Sequence, residues 1–305
     1  MQKMKAHETR MSAAACLGAL ICLTAWSTTT EVRADERIVS IGGAVTEIIY
    51  ALGHDASIAA VDTTSLYPPE ALKTKPNVGY MRALSAEGVL SVRPSLILAA
   101  QGAGPPAAVT SLQGSGVRFV AIPEETSPVG VQRKIVAVGE QIGSSDAAQR
   151  LAKDVEARFT TLATLRNRIE RPKRVLFVLS ASGGRTVVGG GGTAADAMIA
   201  LAGAINAASS IEGFKPMNDE SIISASPEVV VMMKRENASG RDVLATPAFA
   251  ATPAGKTQAF VELDGNYLLG FGPRAPDAAR DLMASIYADL KLPTLRQVED
   301  RGGKE

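Results

Sequence analysis

A tyrosine and an arginine separated by one residue are the side chains in this chain with the most specific chemistry. Tyr80 and Arg82 lie in the turn-rich segment Asn-Val-Gly-Tyr-Met-Arg. A free tyrosine titrates at about pH 10, so a nearby cation is needed to favour the phenolate at neutral pH. Arg82 is the candidate cation, because residues two apart in an extended turn can project to the same side. The pair could present an anionic oxygen ligand, or Tyr80 could simply pack in a cleft wall.

Two glutamates occupy matching places ahead of two prolines. Glu87 and Glu220 each stand seven residues before a proline, Pro94 and Pro227, and an apolar strand pattern follows each proline. Ser85 can cap the first of the two predicted helices, and the helix dipole favours a carboxylate in the first turn. That effect explains either glutamate alone. Their equivalent placement suggests a role beyond that effect.

The small number of histidines and cysteines excludes most zinc sites and leaves a single candidate for histidine-dependent catalysis. The chain has two histidines, His7 and His54, and two cysteines, Cys16 and Cys22. Outside the first thirty residues, only His54 is left for a zinc site or for Ser-His-Asp or Cys-His catalysis. It follows Gly53 at a predicted helix end, where an imidazolium suits the dipole. We therefore expect His54 to be structural and the chain not to be an enzyme.

Residues 1–34 are predicted to be a secretory signal peptide. Basic residues precede a mostly apolar stretch at 13–26, and Val-Arg-Ala at 32–34 offers a small-residue cleavage site. The apolar stretch is too short for a comfortable membrane span. An uncleaved N-terminal anchor is the alternative, and a lipoprotein site at Cys22 matches the usual pattern poorly. We expect an exported, periplasmic protein.

The charge of the remaining chain is close to neutral. Residues 1–34 contain four basic and two acidic residues, so their removal changes the net charge from +1 to −1. This balance gives no support for binding to nucleic acid or to a membrane surface. We expect a small-molecule ligand.

The order of predicted strands and helices indicates two α/β lobes of similar topology. Strand patterns at 37–41 and 174–180, apolar helices at 46–53 and 196–203, and the two glutamate-to-proline units recur in the same order. Between the lobes the pattern is almost continuously helical, with an interruption at 143–146. The predicted divisions are an N-terminal lobe at 35–128, a connecting helical segment at 129–170, a C-terminal lobe at 171–292 and a charged tail at 293–305.

Two lobes leave a cleft between them, which is a preferred place for a small ligand. A helical connector would allow less hinge closure than flexible strands, which favours a bulky and partly rigid ligand. The glycine run at 189–192 is no phosphate loop, because no Gly-Lys-Ser/Thr sequence follows it. We expect this run to let the backbone approach a flat ligand face.

The chain resembles the class III substrate-binding proteins of ATP-driven importers, which carry haem, cobalamin and iron siderophores. Within that cluster it is most similar to the periplasmic haem-binding proteins, chiefly through its Gly-Tyr-Met-Arg segment. The resemblance implies an α/β fold of two similar lobes, with central mostly parallel sheets, a long connecting helix and a ligand cleft between the lobes. It covers residues 37–290 and depends on the segments 45–53, 77–82, 87–94, 192–198 and 268–274.

By this resemblance Tyr80 is the axial ligand of a haem iron and Arg82 is its hydrogen-bonding partner. A phenolate suits ferric iron, as in the tyrosine-ligated haem enzymes. Some relatives place a histidine in the loop that corresponds to 180–185, where this chain has none. The haem would then be held by Tyr80 alone, or with Met217 or water as a weak second ligand. Arg185 and Arg274 are candidate partners of the haem propionates, and Phe271 is a further candidate for supporting the haem.

The resemblance also implies partners. In the family one acidic residue per lobe pairs with arginines on the two permease subunits, and Glu87 and Glu220 match those positions. We expect a monomer that delivers haem to an ABC permease dimer with its ATPase subunits, with an outer-membrane haem receptor upstream as an option. Cobalamin or a ferric siderophore is the alternative ligand. A nucleotide-dependent enzyme is disfavoured, because the chain lacks a phosphate loop, a usable histidine and paired catalytic carboxylates.

Overall fold

Two β-sheets organise the structure, a computed structural model that describes residues 36–234 and 240–295. The predicted signal peptide and residues 296–305 of the predicted tail lie outside these ranges. The strands of the first sheet are β1 (Ile38–Ile41), β2 (Ile58–Val61), β3 (Leu96–Ala100) and β4 (Arg118–Ile122). The strand order is β2-β1-β3-β4, and every pair of adjacent strands in this sheet is parallel. Its helices are α1 (Gly43–Ala51), α2 (Glu70–Thr74), α3 (Ala86–Ser91) and α4 (Pro106–Gln113).

Two helices, α5 (Pro128–Gln141) and α6 (Ser145–Arg166), connect the first sheet to the second. They pack on each other so closely that a Cβ on Gly139 of α5 would overlap the side chain of Ala148 of α6. Gly143, with a φ of 71°, lets the chain reverse between them. The connecting segment is therefore a helical hairpin. Its longer arm, the 22 residues of α6, spans about 33 Å.

The second sheet is mixed. Its strands are β5 (Arg174–Ser182), β6 (Arg185–Gly189), β7 (Ile205–Asn206), β8 (Phe214–Met217), β9 (Val229–Met233) and β10 (Phe260–Leu263). The order is β10-β9-β5-β6-β8, with β7 also paired to β5, and only the β5–β6 and β6–β8 pairs are antiparallel. Its helices are α7 (Ala194–Leu201), α8 (Asp219–Ala225), α9 (Pro247–Ala250), α10 (Pro253–Thr257), α11 (Gly265–Leu269) and α12 (Ala275–Ile286).

The two sheets repeat one helix–strand unit, as the sequence predicts. Glu87 and Glu220 are each the second residue of a short helix, α3 and α8, and a side chain just before each helix caps it. The residue before each proline, Arg93 or Ser226, has a left-handed backbone with a φ of 48° or 47°. The repeat thus extends to the backbone conformation at the end of the helix.

One hydrophobic cluster runs from the first sheet through the connecting helices to the second. It includes Ile38 of β1, Val131 of α5, Phe159 of α6, Val175 of β5 and Leu282 of α12. Separating the sheets would expose this apolar surface to water, which costs about 25 cal/mol of free energy per Å². The core therefore opposes large movements between the sheets. The predicted lobe boundaries stay predictions. In the described ranges no helix is both long and apolar enough to cross a bilayer.

Candidate ligand site

The carboxyl ends of the two sheets face each other. The side-chain amide of Asn266, which follows β10, donates to the carbonyl of Thr64, which follows β2, at 2.5 Å. In the first sheet the strand order reverses between β1 and β3, where Gly42 (φ 110°) approaches Ala100 so closely that a Cβ would lie 2.7 Å from it. Open α/β sheets bind ligands beyond the carboxyl ends of their strands at such a point. The space between the two sets of strand ends is therefore the candidate ligand site.

Tyr80 lies in a loop that is attached to the carboxyl end of β2. The N–H of Thr63 donates to the carbonyl of Gly79 at 2.9 Å, and a turn that begins at Tyr80 is closed by the N–H of Ala83 at 2.8 Å. Tyr80 is 47% exposed and Arg82 is also exposed. Within the described residues, neither the hydroxyl of Tyr80 nor the guanidinium of Arg82 has a hydrogen-bond partner. The predicted bond between them is thus not formed here, and both groups are available to a ligand.

Arg185 and Met217 lie at the same end of the second sheet. Thr186, next to Arg185 on β6, is paired with Met217 on β8. Arg185 is exposed, and Met217 is partly exposed. The structure thus brings these two sequence-predicted residues to the same end of the sheet, where β5 turns into β6.

A cleft of about 500 Å³ opens beside this end of the second sheet, within the roughly 300–1,000 Å³ usual for small-molecule sites. It is lined by Arg185 and by the acidic residues Asp219, Asp242 and Glu262. Among the described residues of this wall, three acidic side chains against one arginine are unfavourable for an anionic group. The acidic residues were not predicted as part of the site, although Asp219 directly precedes Glu220 in the sequence.

Phe271 and Arg274 are placed differently from the sequence prediction. Phe271 is 1% exposed, its ring lies in the core, and its carbonyl accepts a bond from the ammonium of Lys134 at 3.2 Å. The guanidinium of Arg274 lies 3.4 Å from the ring centroid of Tyr67 and donates to the carboxylate of Glu47 at 2.9 Å. The structure therefore assigns Phe271 to the core, and it commits the charge of Arg274 to Glu47 in place of a ligand.

The Glu47–Arg274 pair joins α1 to the start of α12. Burial raises the pKa of Glu47 above its usual value of 4.5, and the hydrogen bonds and charge of Arg274 lower it in part. Both the backbone N–H and the guanidinium of Arg274 reach the carboxylate, at 3.1 and 2.9 Å. The sequence analysis did not single out Glu47. The signal that could have identified it is a charged residue within the mostly apolar segment Val-Thr-Glu-Ile-Ile.

The glycine run at 189–192 packs against the chain itself. The N–H of Gly190 donates to the carbonyl of Gly213 at 2.9 Å, and the N–H of Gly213 donates to the carbonyl of Gly191 at 3.0 Å. A Cβ on Gly190 would overlap the carbonyl of Ile211. This packing accounts for the glycine at 190 without a ligand, and the expectation that the run approaches a ligand face stays a prediction. Glycine is needed here because two backbone segments lie in contact.

The remaining sequence candidates keep their predicted surroundings. His54 follows α1, and its Nε2 lies 2.5 Å from the hydroxyl of Ser144 in the turn between α5 and α6, which fits a structural role. Glu87 and Glu220 are exposed and available to a partner. In the part of the chain that the structure describes, no group of three or more His, Cys, Asp or Glu side chains is arranged to bind a metal ion.

Comparison with known proteins agrees with this architecture. The family model for periplasmic binding proteins matches residues 38–267. The solved structure of the periplasmic heme-binding protein RhuT from Roseiflexus sp. RS-1 is 41% identical, with a TM-score of 0.80 over 83% of this chain and 98% of that one. The uncharacterized ABC transporter substrate-binding lipoprotein YvrC of Bacillus subtilis is 26% identical over 83% of this chain and 81% of that protein. The vitamin B12-binding protein of Vibrio cholerae is 30% identical over 48% of this chain and 51% of that protein.

Proposed function

The chain belongs to the periplasmic binding protein family, and from that premise we propose that it captures haem between its two sheets and delivers it to an ABC permease. The family and its solved neighbours are binding proteins and not enzymes. The observation that carries the haem proposal is the exposed Tyr80–Arg82 pair at the carboxyl end of the first sheet. It occurs in a chain that is similar to a heme-binding protein over most of its length.

Tyr80 supplies the axial oxygen to the ferric iron as a phenolate. A metal-bound phenolate is favoured by a nearby cation, and the turn that contains Tyr80 also carries the guanidinium of Arg82. On the opposite sheet Met217 or a water molecule completes the coordination as a weak ligand. Among the described residues that line the cleft, Arg185 is the single cation, so the propionates point towards Arg82, Arg185 or solvent and away from the three carboxylates.

Delivery uses the two repeated helix starts. Glu87 and Glu220 are exposed at equivalent positions of α3 and α8, and each is proposed to pair with an arginine on one subunit of the permease dimer, which its ATPase subunits drive. Exposed ion pairs contribute about 0–1 kcal/mol each, so the two glutamates orient docking more than they hold the complex. The protein acts as a monomer in the periplasm after cleavage of residues 1–34, and an outer-membrane receptor can supply the haem.

A haemin titration of the purified protein tests the ligand and the role of Tyr80. We expect a shifted Soret band and a phenolate-to-iron charge-transfer band in the wild type, and loss of the second band in Tyr80→Phe. Tyr67→Phe is the matched control, because it removes the hydroxyl of another exposed tyrosine. A wild type that leaves the haemin spectrum unchanged would exclude haem. A charge-transfer band that persists in Tyr80→Phe would exclude Tyr80 as the ligand.

Transport into vesicles that contain the permease tests docking. Replacing both Glu87 and Glu220 with alanine should abolish uptake and leave haem affinity unchanged. A double change of Glu70 and Glu156 to alanine alters the net charge equally at two other exposed positions and should preserve uptake. Uptake that survives the first double change would show that these glutamates do not dock the permease.

Cobalamin is the second candidate ligand. Vitamin B12-binding proteins match about half of the chain, and the carboxylates of Asp219, Asp242 and Glu262 could accept hydrogen bonds from the amide groups of a corrinoid. A calorimetric titration with cyanocobalamin, run beside the haemin titration, separates the two ligands. Binding of cyanocobalamin with no response to haemin would replace haem by cobalamin in the proposal.

A further inference from the structure

A buried carboxylate fastens the loop that follows β2 to the end of β1. Asp62 directly follows β2 and is 0% exposed. Its oxygens accept bonds from the N–H of Gly42 at 2.8 Å, the N–H and hydroxyl of Thr64 at 3.0 and 2.8 Å, and the hydroxyl of Ser65 at 3.1 Å. Four neutral donors satisfy a carboxylate that would otherwise be costly to bury. No ion pair joins Asp62 to a cation in the described ranges, so these donors fix its position.

The loop that Asp62 fastens carries the segment before Tyr80. Three backbone hydrogen bonds of 2.9 Å join residues 61–63 to residues 76–79. The last of them runs from the N–H of Thr63 to the carbonyl of Gly79, one residue before Tyr80. A displacement of the Asp62 loop would therefore move the peptide group to which Tyr80 is attached.

Asn77 fixes the remaining turn. Its side-chain oxygen accepts the N–H of Gly79 at 2.8 Å, which is the bond of an Asx turn. Gly79 has a φ of 97°, and a Cβ placed on it would meet no atom within 4 Å. The position thus needs glycine for its backbone conformation and not for lack of space. Asn77 holds that conformation from an exposed position.

We infer that Asp62 and Asn77 are positioning residues that hold Tyr80 at the carboxyl end of the first sheet before the ligand arrives, an inference that rests on the proposed role of Tyr80 as iron ligand. The side chain of Tyr80 has no hydrogen-bond partner within the described residues, so the backbone of its loop is what locates the phenol. A ligand group held in place in advance loses less conformational freedom on binding. Most changes in affinity at one site appear in the dissociation rate.

The test compares haemin complexes of Asn77→Ala and Asp62→Asn with the wild type. We expect Asn77→Ala to release haemin about three to ten times faster and to shift the phenolate-to-iron charge-transfer band, at an unchanged melting temperature. Asp62→Asn should accelerate haemin release and shift the band more strongly than Asn77→Ala does. Because that residue is buried, its spectrum is recorded only on protein that retains the wild-type circular dichroism. A band position reports the geometry of ligation and does not depend on how much protein is folded.

Ser115→Ala is the matched control, since it removes a similar turn bond, from the N–H of Val117 to the hydroxyl of Ser115 at 3.3 Å, ahead of β4. It should leave the band and the dissociation rate unchanged. Tyr80→Phe separates the inference from the proposed function. If Tyr80→Phe keeps the band, Tyr80 is not the ligand and the inference falls with it. If Tyr80→Phe loses the band while Asn77→Ala and Asp62→Asn behave as wild type, the positioning role is overturned and the proposed function stands.

Discussion

Replacing Lys134 with methionine should destabilise the protein and leave its haem affinity unchanged. The side chain of Lys134 is 0% exposed on a face of α5 that also buries Val131 and Ile135. Its ammonium donates to the carboxylate of Glu124 at 2.7 Å and to the carbonyl of Phe271 at 3.2 Å. One side chain thus ties α5 to the segment after β4 and to the turn before α12.

The magnitude follows from what each partner of Lys134 loses. Methionine keeps an apolar stem of similar length, so the packing changes little. Breaking a buried ion pair costs about 3–5 kcal/mol when the remaining charge stays buried. The side chain of Glu124 is 31% exposed, so water can solvate it, and the main loss is the buried carbonyl acceptor, about 1–3 kcal/mol. We expect a loss of about 2 kcal/mol in unfolding free energy, or about 4–8 °C in Tm for a chain of this size.

Arg133→Met is the control for this prediction, because the neighbouring cation is exposed. The side chain of Arg133 is 69% exposed and pairs with Glu125, which is 48% exposed. Such pairs contribute about 0–1 kcal/mol, so Arg133→Met should shift the Tm by no more than about 4 °C. Urea unfolding of both variants at equal m-values measures the difference. Equal losses in the two variants, or a Lys134→Met protein as stable as the wild type, would refute the argument from burial.

Two other variants test the Glu47–Arg274 pair and the glycine run at 189–192. Because burial raises the pKa of Glu47 above 4.5, the Glu47 carboxyl stays protonated in the native state at pH values where it is ionised in the unfolded chain. The stability that this protonation contributes is lost as the pH rises from 4.5 through the native pKa. In urea unfolding between pH 4.5 and neutral pH, Glu47→Gln should remove this decrease in unfolding free energy with pH. A steeper decrease in the variant than in the wild type would mean that Arg274 lowers the pKa of Glu47 more than burial raises it. Gly190→Ala should cost at least about 2 kcal/mol, because its Cβ would overlap a backbone carbonyl. Gly213 has a φ of 75° and open space around it, so Gly213→Ala should cost only about 1 kcal/mol of backbone strain. Thermal melts of the two glycine variants measure the difference, and equal losses of stability in Gly190→Ala and Gly213→Ala would contradict the steric argument.

The helix–strand unit around Glu87 could be predicted because its determinants are local. Ser85 was expected to cap a helix ahead of Pro94, and the structure has α3 at Ala86–Ser91 with the hydroxyl of Ser85 accepting the N–H of Gly88. The strand after Pro94 is buried at every residue of β3, as its apolar sequence indicates. Capping, first-turn charge and apolar runs act within a few residues, so the sequence alone displays them.

The contacts between the sheets could not be predicted, because their partners are distant in sequence. Arg274 and Glu47 are separated by 227 residues, and Lys134 and Phe271 by 137. The sequence shows only that a charged residue interrupts an apolar face, and it does not identify the partner. Phe271 was misplaced for the same reason. An aromatic residue between two glycines is compatible with a ligand wall, and only the packing of α5 against the turn before α12 shows that the ring fills the core.

These distant contacts also bear on the proposed positioning of Tyr80 within its own sheet. In a binding protein that closes on its ligand, movement of one lobe can bring a misplaced side chain back to the ligand. Here the continuous core and the links from Lys134 and Arg274 oppose such movement, so we expect that the second sheet does not compensate for a displaced Tyr80. The effects of Asn77→Ala and Lys134→Met should therefore be independent. A protein with both changes should release haemin as fast as Asn77→Ala alone and melt as early as Lys134→Met alone. A dissociation rate faster than that of Asn77→Ala would show that the link to Phe271 also positions the ligand.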